Sequence, residues 1–121
     1  MSIDGYAQTE TQIVAACLRL LQLSGIFAWR NNTGAARVIG KGGKTRPMRF
    51  GYVGSADILG VLPGGRFLAV ECKKGKGKQT EAQADFERRI TEAGGVYWLV
   101  RSMDETEAKL DEWARAGRGA A

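Results

Sequence analysis

The chain reads as an α/β protein with elements in the order α-β-β-β-α-β-α, and three observations lead to that class. Thr80-Glu81-Ala82-Gln83 and Ser102-Met103-Asp104-Glu105 are both capping-box patterns, which open helices by satisfying orphan backbone N–H groups. Val96 to Val100 (VYWLV) lies between those helices as a continuous apolar run of strand length. Upstream, Asp57 to Leu62 (DILGVL) and Arg66 to Lys73 (RFLAVECK) are β-rich runs split by Pro63-Gly64-Gly65, a tight-turn signal that predicts an antiparallel hairpin.

Taken in order, Ile13, Val14, Cys17, Leu18, Leu20 and Leu21 recur at helical spacing within residues 8–24, with Gly25 as the stop. Ile26 to Trp29 form a short apolar strand that runs into the polar turn Arg30-Asn31-Asn32-Thr33-Gly34. Arg37 to Ile39 and Met48 to Val53 pair as an extra hairpin around the Gly/Lys loop Gly40 to Thr45. After the DILGVL and RFLAVECK strands, the helix opened by Thr80 reaches Ala93 before Gly94-Gly95. The last helix turns Leu110 and Trp113 inward, and the tail from Gly117 frays.

One domain spanning residues 1–121 is expected, and a 44% hydrophobic content builds its core without staples. The absence of His excludes Ser-His-Asp and Cys-His catalysis and any metal site that needs imidazole. The two cysteines, Cys17 and Cys72, form no C-x-x-C, which fits a reducing intracellular, cytoplasmic setting. Asp4 where a leader would be basic, and Arg19 interrupting the Ile13–Leu18 run, argue against a signal peptide and a membrane span.

Charge is unevenly placed. Residues 19–78 hold 12 Lys and Arg but only two acids, Asp57 and Glu71, a net +10 against −5 for the remainder. That field attracts a polyanion. Carboxylates facing a polyphosphate repel it unless a cation lies between, so the isolated acids point to metal-dependent phosphodiester chemistry. Side chains alternate along a strand, so Glu71 and Lys73 share a face while Cys72 points the other way with Val70 and Leu68. The Pro63–Gly65 turn brings Asp57 beside Glu71. Two carboxylates, the backbone carbonyl of Cys72 and waters make an oxygen-rich site suited to Mg²⁺ or Mn²⁺. The competing reading is a surface Glu71–Lys73 ion pair worth about 0–1 kcal/mol.

Gly54-Ser55-Ala56-Asp57-Ile58-Leu59-Gly60, Val70-Glu71-Cys72-Lys73, Gln79-Thr80-Glu81-Ala82-Gln83 and Gly94-Gly95-Val96-Tyr97 together resemble the VRR-NUC (virus-type replication-repair nuclease) domain of the PD-(D/E)XK nuclease superfamily. The resemblance runs from the Glu10 helix to the Asp104 region. It implies a restriction-endonuclease-like core with a mixed β-sheet flanked by helices, and Mg²⁺- or Mn²⁺-dependent DNA cleavage. It carries Asp57 and Glu71 onto the metal-binding acids, Lys73 onto the catalytic lysine, Gln83 onto a glutamine facing the site, and Glu10 onto an acid extending the metal shell. Ser55-Ala56 stands where the superfamily pattern has Pro before the Asp. It further implies branched DNA such as four-way (Holliday) junctions, a homodimer, a replication-repair helicase as a possible partner, and the cytoplasm of a bacterial or phage-infected cell. A non-catalytic nucleic-acid-binding module or an accessory subunit is the rival expectation.

Arg30, Asn31, Lys41, Lys44, Arg46, Lys74, Lys76 and Lys78 are the candidate nucleic-acid contacts. The two asparagines equally suit a turn. Gly43-Lys44-Thr45 resembles the end of a phosphate-binding P-loop, but Val38 stands where the first Gly is required. Trp29, Tyr97 and Trp98 suit core packing or an oligomer contact better than base stacking.

Overall fold

The computed structural model describes residues 8–117; the N-terminal segment with Asp4 and the tail beyond Gly117 lie outside them. The chain forms α1 (Glu10–Leu23), β1 (Phe27–Arg30), β2 (Gly34–Ile39), a 3₁₀ turn (Lys41–Gly43), β3 (Thr45–Phe50), β4 (Ile58–Val61), β5 (Phe67–Cys72), α2 (Glu81–Glu92), β6 (Val96–Val100) and α3 (Met103–Arg115). It is a mixed α/β fold with a mixed sheet flanked by helices.

A four-stranded sheet has the order β1-β4-β5-β6, antiparallel except for the parallel β5–β6 pair. The parallel pair follows from chain geometry, since α2 carries the chain back over one face before β6 begins. Leu68, Val70 and Cys72 of β5 join Ile13, Val14, Cys17 and Leu21 of α1, with Leu110 and Trp113 of α3 packed against them. On the opposite face Ala69 meets Phe86 of α2, with Leu59, Ile90 and Tyr97 around it. The alternation expected along β5 is thus realised, with one side chain set under α1 and α3 and the other under α2. Thr106, fully buried, ties α3 to α1 by donating its hydroxyl to the Cys17 sulfur at 3.1 Å.

Helix starts follow the local chemistry. Thr80 and Gln83 close the expected capping box on α2, and Thr9 with Gln12 closes a further one on α1 that the apolar spacing had not indicated. Ser102 caps α3 through the Glu105 N–H, but the Glu105 carboxylate reaches one residue further back and accepts from the Arg101 N–H at 2.7 Å.

The extra hairpin is present with different limits. Its strands pair from Gly34↔Phe50 to Ile39↔Thr45, so β2 begins three residues before the expected Arg37 and Tyr52-Val53 fall outside β3. The ribbon forms a separate two-stranded sheet, exposed at nearly every position. Asp57 likewise lies just before β4 instead of opening it.

Candidate active site

Continuing the β4–β5 register beyond Ile58↔Val70 places Asp57 opposite Glu71 at the end of the sheet. The Asp57 Oδ2 accepts the backbone N–H of Cys72 at 2.8 Å, which fixes the carboxylate against β5. Glu71 is 2% exposed. Its Oε2 accepts from Gln83 Nε2 at 3.1 Å and lies 3.8 Å from Lys73 Nζ, while Oε1 is buried with no hydrogen-bond partner. Burial first, then the neighbouring Asp57 charge, raise the Glu71 carboxyl to about 8, with Lys73 opposing the rise. The three residues read from the sequence as a chemical unit are therefore brought together, and the acid–amine pair is buried rather than a solvated surface bridge.

Gln83 makes two contacts, one within the capping box that the sequence suggested and one with Glu71. Its Oε1 accepts from the Thr80 N–H at 2.9 Å, which leaves Nε2 to donate to Glu71. The capping box thereby orients the amide, because an oxygen that must face the helix start turns the nitrogen toward the carboxylate. Beside it, Gln79 Nε2 donates to Glu87 Oε1 and to the Tyr97 hydroxyl at 2.9 and 3.2 Å. Burial, then the Glu71 charge among weaker effects, pushes the Tyr97 phenol upward, although the Gln79 bond lowers it.

Glu10 reaches the same end of the sheet from α1, where its Oε2 accepts from the Lys74 N–H at 3.3 Å. Among the described residues no three side chains of His, Cys, Asp or Glu form a group able to hold a metal ion, so Glu10 does not complete such a group with Asp57 and Glu71. The Cys72 side chain faces the apolar core, as its alternation required. The Cys17 sulfur beside it and burial push its thiol upward, so it stays protonated, and only its backbone is available at the site. The remaining donor set is two carboxylates and main-chain oxygen. That set fits Mg²⁺ or Mn²⁺, which retain several waters, better than it fits zinc. A cation there would relieve both the orphaned Oε1 of Glu71 and the crowding of the two acids.

The candidate nucleic-acid residues divide by place. Lys41 and Lys44 lie at the exposed ribbon tip and Arg46 on β3. Thr45 opens a strand rather than a helix, so the Gly43-Lys44-Thr45 run is a hairpin tip with no P-loop geometry. Lys74, Lys76 and Lys78 are exposed in the loop before α2, and Arg30 ends β1 opposite Ile58. Asn31 is different. Its Nδ2 donates to Ser55 Oγ and the Ala56 carbonyl, and its N–H to the Asp57 carbonyl at 2.8 Å, so it clasps the segment that carries Asp57.

Arg101 was not foreseen. Its Nη1 donates to the carbonyls of Gly75 and Gly77 at 2.7 and 2.8 Å, holding the lysine loop in place. An arginine that binds distant carbonyls leaves no signature in sequence. Trp98 is a core residue, Tyr97 is half-buried, and Trp29 is partly exposed beside Phe27, with ring centroids 5.2 Å apart. No protein-family model matches this chain, and no curated protein or solved structure matches it either.

Proposed function

We propose that this chain is a Mg²⁺- or Mn²⁺-dependent DNA endonuclease of VRR-NUC type with a restriction-endonuclease-like core, selective for branched DNA such as four-way junctions. The observation that carries the reading is the buried Glu71, with one carboxylate oxygen unpartnered, facing Lys73 and lying beside Asp57 in a strongly basic stretch. A buried carboxylate with one oxygen unpartnered, set beside a second, half-buried acid and offset by a single amine 3.8 Å away, costs stability, so its presence at the end of the sheet argues for a function beyond packing.

Asp57 and Glu71, with the Cys72 carbonyl, would hold the cation, and Glu10 would bear on it from the next layer. A divalent cation bound there supplies Lewis-acid polarisation of the scissile phosphate and lowers the pKa of an attacking water. Lys73, held against Glu71, donates to that water or offsets charge developing on the phosphate oxygens. Gln83 keeps the Glu71 carboxylate in its orientation, and the lysine loop that Arg101 holds attracts the flanking phosphates. Two copies related by a two-fold axis would supply paired cuts, with the β1 edge carrying exposed Phe27 and Trp29 available to a second chain.

The test is incubation with labelled linear, flapped, bubble and four-way DNA, with and without Mn²⁺. Metal-dependent cutting lost in Asp57→Ala, Glu71→Ala and Lys73→Ala, with DNA binding kept, is the expected result. The lack of a third acid in the group favours a second reading, a non-catalytic nucleic-acid-binding module or accessory subunit of a replication-repair helicase, in which no metal produces cutting.

A further inference from the structure

We infer that the β2–β3 ribbon is an arm that enters the major groove of duplex DNA on one side of the site. This inference rests on the nucleic-acid reading above and deepens it by assigning the mode of contact. The ribbon packs on itself and on little else, so its side chains are not committed to the core. Residues 34–50 carry Arg37, Lys41, Lys44, Arg46 and Arg49 and no acid, and among the described residues none of these cations is in a salt bridge.

Register shows where the charges point. Ala35↔Arg49, Arg37↔Pro47 and Ile39↔Thr45 share one face, an assignment that the Arg37 bonds to Thr45 Oγ1 confirm. Gly34↔Phe50, Ala36↔Met48 and Val38↔Arg46 share the other. Cations therefore lie on both faces and at the tip. A body lying flat on a phosphate surface needs them on one face only, whereas a body with phosphates on either side needs both.

Dimensions select the groove. A strand layer with its side chains is about 10 Å thick. The major groove is about 12 Å wide and admits a two-stranded ribbon, while the minor groove, at about 6 Å, does not.

The base of the ribbon is fixed to the site. A Cβ on Gly51 would lie 2.7 Å from Thr33 Cγ2, so the two strand ends are closely packed, and Asn31 clasps Ser55 and Ala56 immediately before Asp57. DNA held by the arm is thereby placed relative to the carboxylates. Six residues of β2 span about 20 Å, or roughly six base pairs.

The experiment is guanine-N7 methylation interference with the full chain bound to a labelled duplex in EDTA, so that no cutting intervenes. We expect N7 methylation to weaken binding within a window of roughly six base pairs. The double variant Arg37→Ala/Arg49→Ala should lose about tenfold in affinity together with the window. Indifference to N7 methylation, interference confined to adenine N3 in the minor groove, or a window unchanged in that variant would overturn the inference. So would a dimer that Met48→Ser/Phe50→Ser converts to monomer without altering duplex binding, since the ribbon would then belong to a second copy. The window is read on the unmodified chain and needs no variant to fold. A clear window without Mn²⁺-dependent cutting would sustain the arm while refuting the nuclease.

Discussion

Glu71 shows how one buried side chain links stability to chemistry. An unfolded glutamate releases its proton near 4.5, whereas burial and Asp57 hold the folded one to about 8. Between those values the folded Glu71 holds a proton that the unfolded one has released, so its contribution to stability is fully present below about 4.5 and is lost as pH rises through about 8. We expect metal-free protein to unfold at lower temperature at pH 8 than at pH 5, by a margin that Glu71→Gln abolishes and saturating Mn²⁺ narrows. Thermal melts at both pH values in EDTA decide this; an equal slope in Glu71→Gln contradicts it. Gln83 allows a finer separation. Gln83→Ala removes the acceptor of the Thr80 N–H as well as the Glu71 contact, while the Thr80 hydroxyl still caps the helix, at a cost of about 1–2 kcal/mol. Gln83→Glu keeps an acceptor for the Thr80 N–H but sets a carboxylate against Glu71, so it should preserve the helix start and still depress cleavage. Equal cleavage by Gln83→Glu and wild type would show that the amide does not serve the site.

At the scale of elements, the segment between ribbon and β4 is positioned by close backbone approach. Gly54 has φ +88, and a Cβ there would fall 2.4 Å from the Ala82 carbonyl on α2. Gly54→Ala must push this segment off α2, and Asp57 lies only three residues on, so we expect a stability loss of about 2–4 kcal/mol measured by urea unfolding and a matching loss of activity. The main elements were legible because local signals agreed: Thr80 and Ser102 as caps, Pro63–Gly65 as a turn, and VYWLV as a run too apolar for a surface. The ribbon limits were not. Gly34-Ala35-Ala36 has little strand propensity, and Pro47 within β3 argues against a strand. A two-stranded ribbon has only edges, where Pro is tolerated, and with both faces exposed it shows no hydrophobic alternation to read. Asp57, Glu71 and Lys73 were legible as a constellation through strand periodicity and hairpin closure, whereas Gln83 was set beside them only by the family resemblance. The clasp by Asn31 and the anchor by Arg101 depend on backbone partners distant in sequence, which no pattern encodes. Neutralising Lys41 and Lys44 at the ribbon tip together with Arg46 on β3 should weaken binding to all DNA shapes and flatten the slope of log K against log salt by up to about three charges' worth, and an unchanged slope would remove this end of the ribbon from the interface.

At the scale of the whole molecule, the base of the basic ribbon is tied to the segment that carries Asp57, and the lysine loop follows directly on the strand that carries Glu71. Among the described residues no helix is long and apolar enough to cross a membrane. Trp113, which the sequence turns inward, packs against the main core from α3, and the β1 edge with exposed Phe27 and Trp29 is the surface we propose for a two-fold partner. Sedimentation at micromolar concentration should give a species near twice 13.1 kDa, and a Phe27→Ser/Trp29→Ser variant should give half that value; a wild-type monomer would exclude paired cutting by a preformed dimer. If Asp57, Glu71 and Lys73 form a metal-dependent nuclease site, cleavage of a labelled four-way junction by wild type and Glu71→Ala across a Mn²⁺ titration decides it. We expect paired nicks that rise with Mn²⁺ for wild type and none for Glu71→Ala at equal DNA binding; full cleavage by Glu71→Ala would exclude the site.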